Sequence, residues 1–67
     1  METVPHKKVK VFKMKNRKGY GCICLDNLTE GKTPLQACDR MVKALRRGGY
    51  QLKEIDVIMA KKLVVSV

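Results

Sequence analysis

Residues 33–47 constrain the fold of this chain more than any other segment. Thr33 can cap a helix with its hydroxyl, Pro34 suits the first helical position because it lacks an amide hydrogen, and Gln36 completes a capping box. Apolar residues then recur at intervals of three and four positions and form one stripe, made of Leu35, Cys38, Met41, Val42 and Leu45. A pair of glycines follows, where a helix can end. The pattern predicts one amphipathic helix over residues 34–47.

The segments before the helix have the patterns of strands. Residues 7–15 mix basic and apolar side chains and change parity at residues 11–12, which predicts a strand with a bulge at that point. Residues 16–19 predict a four-residue hairpin loop. Residues 20–25 predict an antiparallel partner strand that either has both faces covered or is central in the sheet. Asp, Asn, Thr and Gly are dense over residues 26–32, which is typical of a connecting loop.

The segment after the helix fits two patterns. Apolar residues at odd positions favour a strand over residues 54–59, a bend near Lys61 and a last strand over residues 63–67. The alternative is a short second helix followed by one strand, which fits the helical spacing of Leu52, Ile55, Ile58, Met59 and Leu63. We favour the strands. The predicted fold is an α+β domain of order β-β-α-β or β-β-α-β-β, with a small antiparallel sheet and one helix on one of its faces.

The chain has 67 residues, which leaves room for only one core. Residues 1–6 have no periodic pattern and contain Pro5, so we expect a flexible N-terminal arm followed by a single domain over residues 7–67. A chain this short buries only about 60% of its unfolded surface, which makes a monomer marginal. We therefore expect a homodimer, with the sheet face opposite the helix either polar or covered by a partner.

Several classes of protein are disfavoured by what the sequence lacks. No apolar run approaches the roughly 18 residues that span a bilayer, and the first ten residues lack the apolar segment of a secretory signal. We therefore expect a cytoplasmic protein without a membrane partner. No nucleophile elbow, phosphate-binding glycine loop or paired acidic motif is present, so we expect no enzymatic activity.

The three cysteines are too few, and odd in number, for a disulfide framework. Cys22 and Cys24 would point the same way from one strand, and Cys38 lies on the helix stripe. With the distant His6 they could form a metal site, but the Cys-x-x-Cys spacing usual for zinc is absent. We favour buried, inert thiols and predict no metal and no cofactor.

The net charge of +9 is unevenly distributed. Seven basic residues and no acidic one occur between positions 6 and 18, and three more basic residues lie near the end of the predicted helix. The ten residues are Lys7, Lys8, Lys10, Lys13, Lys15, Arg17, Lys18, Lys43, Arg46 and Arg47. The helix dipole alone favours basic residues in a last turn, but the first run exceeds what a solvated strand edge needs. Such a run attracts polyanions.

These observations predict a small intracellular nucleic-acid-binding protein that contacts mostly backbone phosphates of DNA or RNA through those ten residues. The chain has no Trp and few other aromatic residues, so it lacks the usual stacking platform for single strands. The alternative is a protein-interaction module without catalytic activity, such as an inhibitor or antitoxin-like regulator. Such a module would dock on an acidic protein partner or add an edge strand to it.

Residues 20–37 carry a resemblance to a known family. A strand is followed by Asp26, Gly31 and Thr33, and then by a helix that begins with Gln36 and Ala37. This arrangement resembles the middle of HicB-like antitoxin domains and covers about a quarter of the chain. The resemblance implies a small sheet paired with one helix and a role in blocking a partner toxin.

Overall fold

The computed structural model describes residues 2–65 and confirms an α+β fold. In chain order the described elements are β1 (Glu2–Val4), a 3₁₀ turn (His6–Lys8), β2 (Lys10–Lys13), β3 (Tyr20–Cys24), β4 (Asn27–Gly31), α1 (Pro34–Arg47), β5 (Tyr50–Leu52) and α2 (Val57–Lys62). Strands β2, β3 and β4 form an antiparallel sheet in that order, and β1 pairs with β5 in parallel. Helix α1 packs on one face of the three-stranded sheet.

The β2–β3 hairpin forms as predicted, but without a bulge. The register is unbroken from Lys10, opposite Ile23, to the end of β2, so the bulge predicted at residues 11–12 is wrong. Val11 is fully buried beneath α1, whereas the Phe12 ring covers Gly21 on the other face. Because each face of the sheet holds one of these two apolar side chains, consecutive apolar residues fit the strand without an extra residue. The strand is also shorter than predicted, and its connecting loop covers residues 14–19.

Residues 26–32 were predicted to form a loop, and this prediction is wrong because they contain β4. Leu25 and Asp26 make the turn from β3, and Leu25 has a φ of 55°. Glycine or asparagine is usual at such a position, so the sequence gives no sign of a tight turn there. Strand β4 then pairs with β3 along its whole length, from Asn27 opposite Cys24.

Helix α1 is confirmed over Pro34–Arg47. Thr33 Oγ1 accepts a hydrogen bond from Gln36 N at 3.1 Å. Gln36 Oε1 accepts its bond from Lys32 N at 2.7 Å, one residue earlier than in a standard capping box. Helix α1 packs against the sheet through five buried residues, Ala37 and the stripe residues Cys38, Met41, Val42 and Leu45.

Strand β4 lies unusually close to the first turns of α1. Gly31 allows this approach, since a Cβ at that position would lie 2.6 Å from Ala37 N. Thr29 Oγ1 donates a hydrogen bond to Ala37 O at 2.8 Å. The end of β4 and the start of α1 are therefore held together, which fixes the relative positions of the side chains around them.

The strand predicted over residues 54–59 is wrong, because Val57–Lys62 forms α2. This is the helical alternative, begun by Asp56, whose Oδ1 accepts a hydrogen bond from Met59 N at 2.8 Å. The last strand is reduced, in the described residues, to a parallel bridge between Val11 and Val64. Residues 66–67 of that predicted strand lie outside the described part of the chain.

Part of the predicted flexible arm lies in β1. Residues 2–4 pair with β5, and the Val4 side chain is buried in the core. Pro5 and the 3₁₀ turn then lead into β2. A strand of three residues is too short to show a hydropathy period, so the sequence pattern could not reveal it. Between residues 2 and 65, no helix has both the length and the apolar character that a bilayer crossing requires.

Candidate nucleic-acid interface

The β2–β3 hairpin brings four of the predicted cations to one end of the sheet. Lys13 ends β2, and Lys15, Arg17 and Lys18 lie in the exposed loop that follows. Met14 N donates a hydrogen bond to Gly19 O at 3.1 Å, which closes the base of the loop. The four side chains are thus held near one another by the hairpin.

Two depressions adjoin this loop and share Met14 and Arg17 in their walls. One, of about 350 Å³, lies within the loop itself and is lined by Lys13 and Lys15 among others. The other, of about 400 Å³, lies between the loop and the start of α1. It adds Lys32 and Arg40 to the loop cations. We call the combined set the tip cluster, comprising Lys13, Lys15, Arg17, Lys18, Lys32 and Arg40.

Glu30 is the one carboxylate that lines either depression. Its Oε1 lies 3.1 Å from Arg17 Nη2, in an ion pair whose side chains are 42% and 68% exposed. Arg40 Nη1 donates a hydrogen bond to the main-chain oxygen of Glu30 at 2.8 Å. The tip cluster therefore keeps a large excess of positive charge, and one of its guanidinium groups is anchored to β4.

The predicted basic group at the end of α1 lies away from the tip cluster. The helix starts beside the hairpin loop and has 14 residues, so it extends about 21 Å toward the opposite end of the domain. Lys43 and Arg46 share a depression there with Asp39 and Glu54. These carboxylates offset both cations. Arg47 occupies the last turn of the same helix.

The other three predicted residues are also separate from the tip. Lys7 and Lys8 lie in the 3₁₀ turn, and Lys8 borders a depression with Leu25 and Tyr50 at the far end of the sheet. Lys10 lies on the sheet face opposite α1, because the next residue along β2 faces the helix. Of the ten predicted residues, the hairpin therefore gathers Lys13, Lys15, Arg17 and Lys18.

Sequence reasoning missed Lys32 and Arg40. Lys32 lay in a segment interpreted as a loop, and Arg40 belonged to the exposed side of the predicted helix. Both reach the hairpin because β4 returns the chain to the tip before α1 begins. The strong helix cap at Thr33 was the available signal, since it fixes Lys32 beside the first turn of the helix.

The sheet face opposite α1 is partly apolar. Ile23 and Leu28 face each other across β3 and β4 and are 42% and 60% exposed. Leu25, in the adjacent turn, is 41% exposed. We expected this face to be polar or covered by a partner, and its exposed residues Ile23 and Leu28 are apolar.

The three cysteines are free thiols in the core, each 0% exposed. The contact with Cys38, together with burial, raises the pKa of Cys22. The same contact lowers the pKa of Cys38, because the Cys22 S–H donates to its sulfur. Burial raises the pKa of Cys24. Among residues 2–65, no three His, Cys, Asp or Glu side chains are placed to hold a metal ion, and His6 Nε2 lies 3.1 Å from Lys53 O.

No protein family, curated protein or solved structure matches this chain. The resemblance of residues 20–37 to HicB-like antitoxin domains therefore stays a prediction.

Proposed function

We propose that the protein binds nucleic acid through the tip cluster and contacts mainly backbone phosphates. One observation carries the proposal: six cations from three chain segments surround two adjoining depressions that hold a single carboxylate. A concave surface lined by charges of one sign concentrates its field and attracts polyanions. At physiological salt the Debye length is about 8 Å, so charges within that distance of one another act jointly on a bound phosphate chain.

The chemistry of the tip cluster favours phosphate contacts over base recognition. Lysines supply mobile point charges, which suit a phosphate chain of any sequence. Phe12 lines one depression but is half-buried against Gly21, and Tyr20 packs on the core, so neither ring is fully exposed for stacking. We therefore expect binding that tolerates changes of sequence and weakens with salt.

The other predicted cations have a smaller part in this proposal. Lys43 and Arg46 are offset by nearby carboxylates, and Lys10 lies on another face. We assign Lys7, Lys8, Lys10, Lys43, Arg46 and Arg47 a general attraction for polyanions, with no fixed phosphate contact.

Two double variants of equal charge test the assignment. Lys15→Gln with Lys18→Gln changes the tip cluster, whereas Lys10→Gln with Lys53→Gln removes two exposed lysines elsewhere. Binding of a fluorescein-labelled 20-base-pair duplex, as DNA and as RNA, is followed by anisotropy at about 100 mM KCl. We expect at least tenfold weaker binding for the tip variant and less than threefold for the control. Absence of binding by the unaltered protein at about 50 mM KCl would remove the proposal.

A second candidate function is a protein-interaction module, favoured by the exposed apolar residues Ile23, Leu25 and Leu28. A homodimer that covers this face is the simplest form of that proposal. Sedimentation analysis of the unaltered protein and of Leu28→Lys separates the possibilities. Dimer formation that Leu28→Lys abolishes would support a homodimer, whereas a monomer at about 100 μM would leave this face for a different protein.

A further inference from the structure

We propose that the depression between Arg17, Lys18, Lys32 and Arg40 is a site for one phosphate group, and that Glu30 occupies this position in the free protein. The inference rests on the proposed function for its natural ligand, a phosphate of a nucleic acid. It goes further in assigning a discrete site and a competing side chain. The ligand that the site recognises is a group of phosphate oxygens. These oxygens can belong to a phosphodiester within a chain or to a terminal phosphate.

The depression has room and donors for such a group. Its volume of about 400 Å³ exceeds that of a phosphate with several waters, each of which takes about 30 Å³. Arg40 uses Nη1 to bind Glu30 O at 2.8 Å, and no other hydrogen bond ties its guanidinium within residues 2–65. A guanidinium held along one edge presents its remaining N–H groups in a fixed fork, the geometry that suits phosphate oxygens.

The donors of this site are side chains, because the main-chain amides of Lys32 and Gln36, two residues that line the depression, are already in use. Gln36 N donates to Thr33 Oγ1, and Lys32 N donates to Gln36 Oε1. The ammonium groups of Lys18 and Lys32 therefore complete the set with Arg40, and neither forms an ion pair among the described residues.

Glu30 is the one carboxylate that lines this depression, and among the described residues it pairs with Arg17 alone. Its carboxylate holds Arg17 at 3.1 Å, although both side chains are exposed by more than a third. An exposed ion pair of this kind is easily broken, and an Arg guanidinium can donate its hydrogen bonds to a phosphate in place of a carboxylate. A bound phosphate therefore takes Arg17 from Glu30, or must tolerate the carboxylate beside it. Removal of the Glu30 charge should then strengthen phosphate binding.

The test uses NMR titration of the ¹⁵N-labelled protein with inorganic pyrophosphate, comparing the unaltered protein with Glu30→Gln and Lys10→Gln. We expect amide shifts concentrated at residues 17–18, 30–32 and 40, and binding about three- to tenfold tighter in Glu30→Gln. Lys10→Gln should bind within about twofold of the unaltered protein. Equal or weaker binding by Glu30→Gln, or shifts spread over all basic residues, would overturn the inference.

A second variant guards against misfolding of Glu30→Gln. Lys32 is exposed and its side chain forms no hydrogen bond within residues 2–65, so Lys32→Gln should keep the fold. We expect it to weaken pyrophosphate binding at least threefold, and unchanged binding would count against the site. A dinucleotide with and without a 5′-phosphate identifies the source. Shifts with both forms assign a bridging phosphodiester, and shifts only with the phosphorylated form assign a terminal phosphate.

The failure of this inference can be told apart from the failure of the proposed function. If pyrophosphate binds at the tip and no oligonucleotide does, the phosphate site stands and nucleic-acid binding is rejected. The opposite result is that oligonucleotides bind more weakly to the variant that lacks Lys15 and Lys18, while Glu30→Gln changes the affinity for neither oligonucleotide nor pyrophosphate. In that case the function stands and the phosphate site is rejected.

Discussion

The salt dependence of binding gives the sharpest quantitative test of the tip cluster. Of its six cations, only Arg17 forms an ion pair within residues 2–65, which leaves five cations to replace counterions. Five phosphate contacts predict a slope of about −4.5 in a plot of log K against log salt for duplex DNA. Raising KCl from about 50 to about 200 mM should then weaken binding about 500-fold.

The same measurement on the double variants checks the origin of that slope. Loss of Lys15 and Lys18 should reduce the slope to about −2.7, whereas loss of Lys10 and Lys53 should leave it near −4.5. Anisotropy titrations of the 20-base-pair duplex at five salt concentrations supply all three slopes. A slope shallower than about −2 in the unaltered protein, or the same reduction in both variants, would refute the reasoning.

Three further predictions concern stability, measured by urea denaturation. Gly31→Ala should lower the free energy of unfolding by about 1–3 kcal/mol, because the added Cβ meets Ala37 N. Gly48→Ala, at a φ of −87°, should change that free energy by less than about 1 kcal/mol. Equal effects of the two substitutions would contradict the close approach of β4 and α1. Leu25→Gly should raise it by about 0.5 kcal/mol by relieving the positive φ, whereas Leu25→Ala should not; a destabilised glycine variant would show that the leucine side chain outweighs the strain. Burial raises the pKa of Cys24, so the folded state keeps a proton that the unfolded state loses. The contribution of Cys24 to stability is then fully present below pH 9.0, the ordinary pKa of the thiol, and is lost as pH rises toward the folded-state pKa. Between those two pKa values the free energy of unfolding should fall by about 1.4 kcal/mol per pH unit. Cys24→Ala should reduce that fall, and an unchanged fall would assign it to other groups.

Helix α1 was predictable because its signals are local. The capping hydroxyl of Thr33, the proline at the first position and the apolar stripe all lie within one segment, and each favours the same boundaries. The β2–β3 hairpin was predictable for a similar reason, since two strand-like segments flank a loop that contains Gly19.

The missed elements depend on contacts between distant parts of the chain. Strand β4 follows a turn at Leu25, a residue with no turn preference, and it is stabilised by pairing with β3. Helix α2 has six residues, too few for helical and alternating patterns to be distinguished. Lys32 and Arg40 join the site only because β4 and α1 place them beside the hairpin. Charge composition predicted a cationic surface, but the tertiary fold determined its members.

Arg40 has a consequence for self-association. Strand β4 ends the order β2-β3-β4, so its outer main-chain groups are open to another chain. An open edge is a template for intermolecular pairing, which leads to aggregation. Because the Arg40 guanidinium already binds Glu30 O, one acceptor along that edge is occupied and a bulky cation stands beside it. Arg40 therefore blocks one point on this edge against pairing with another strand.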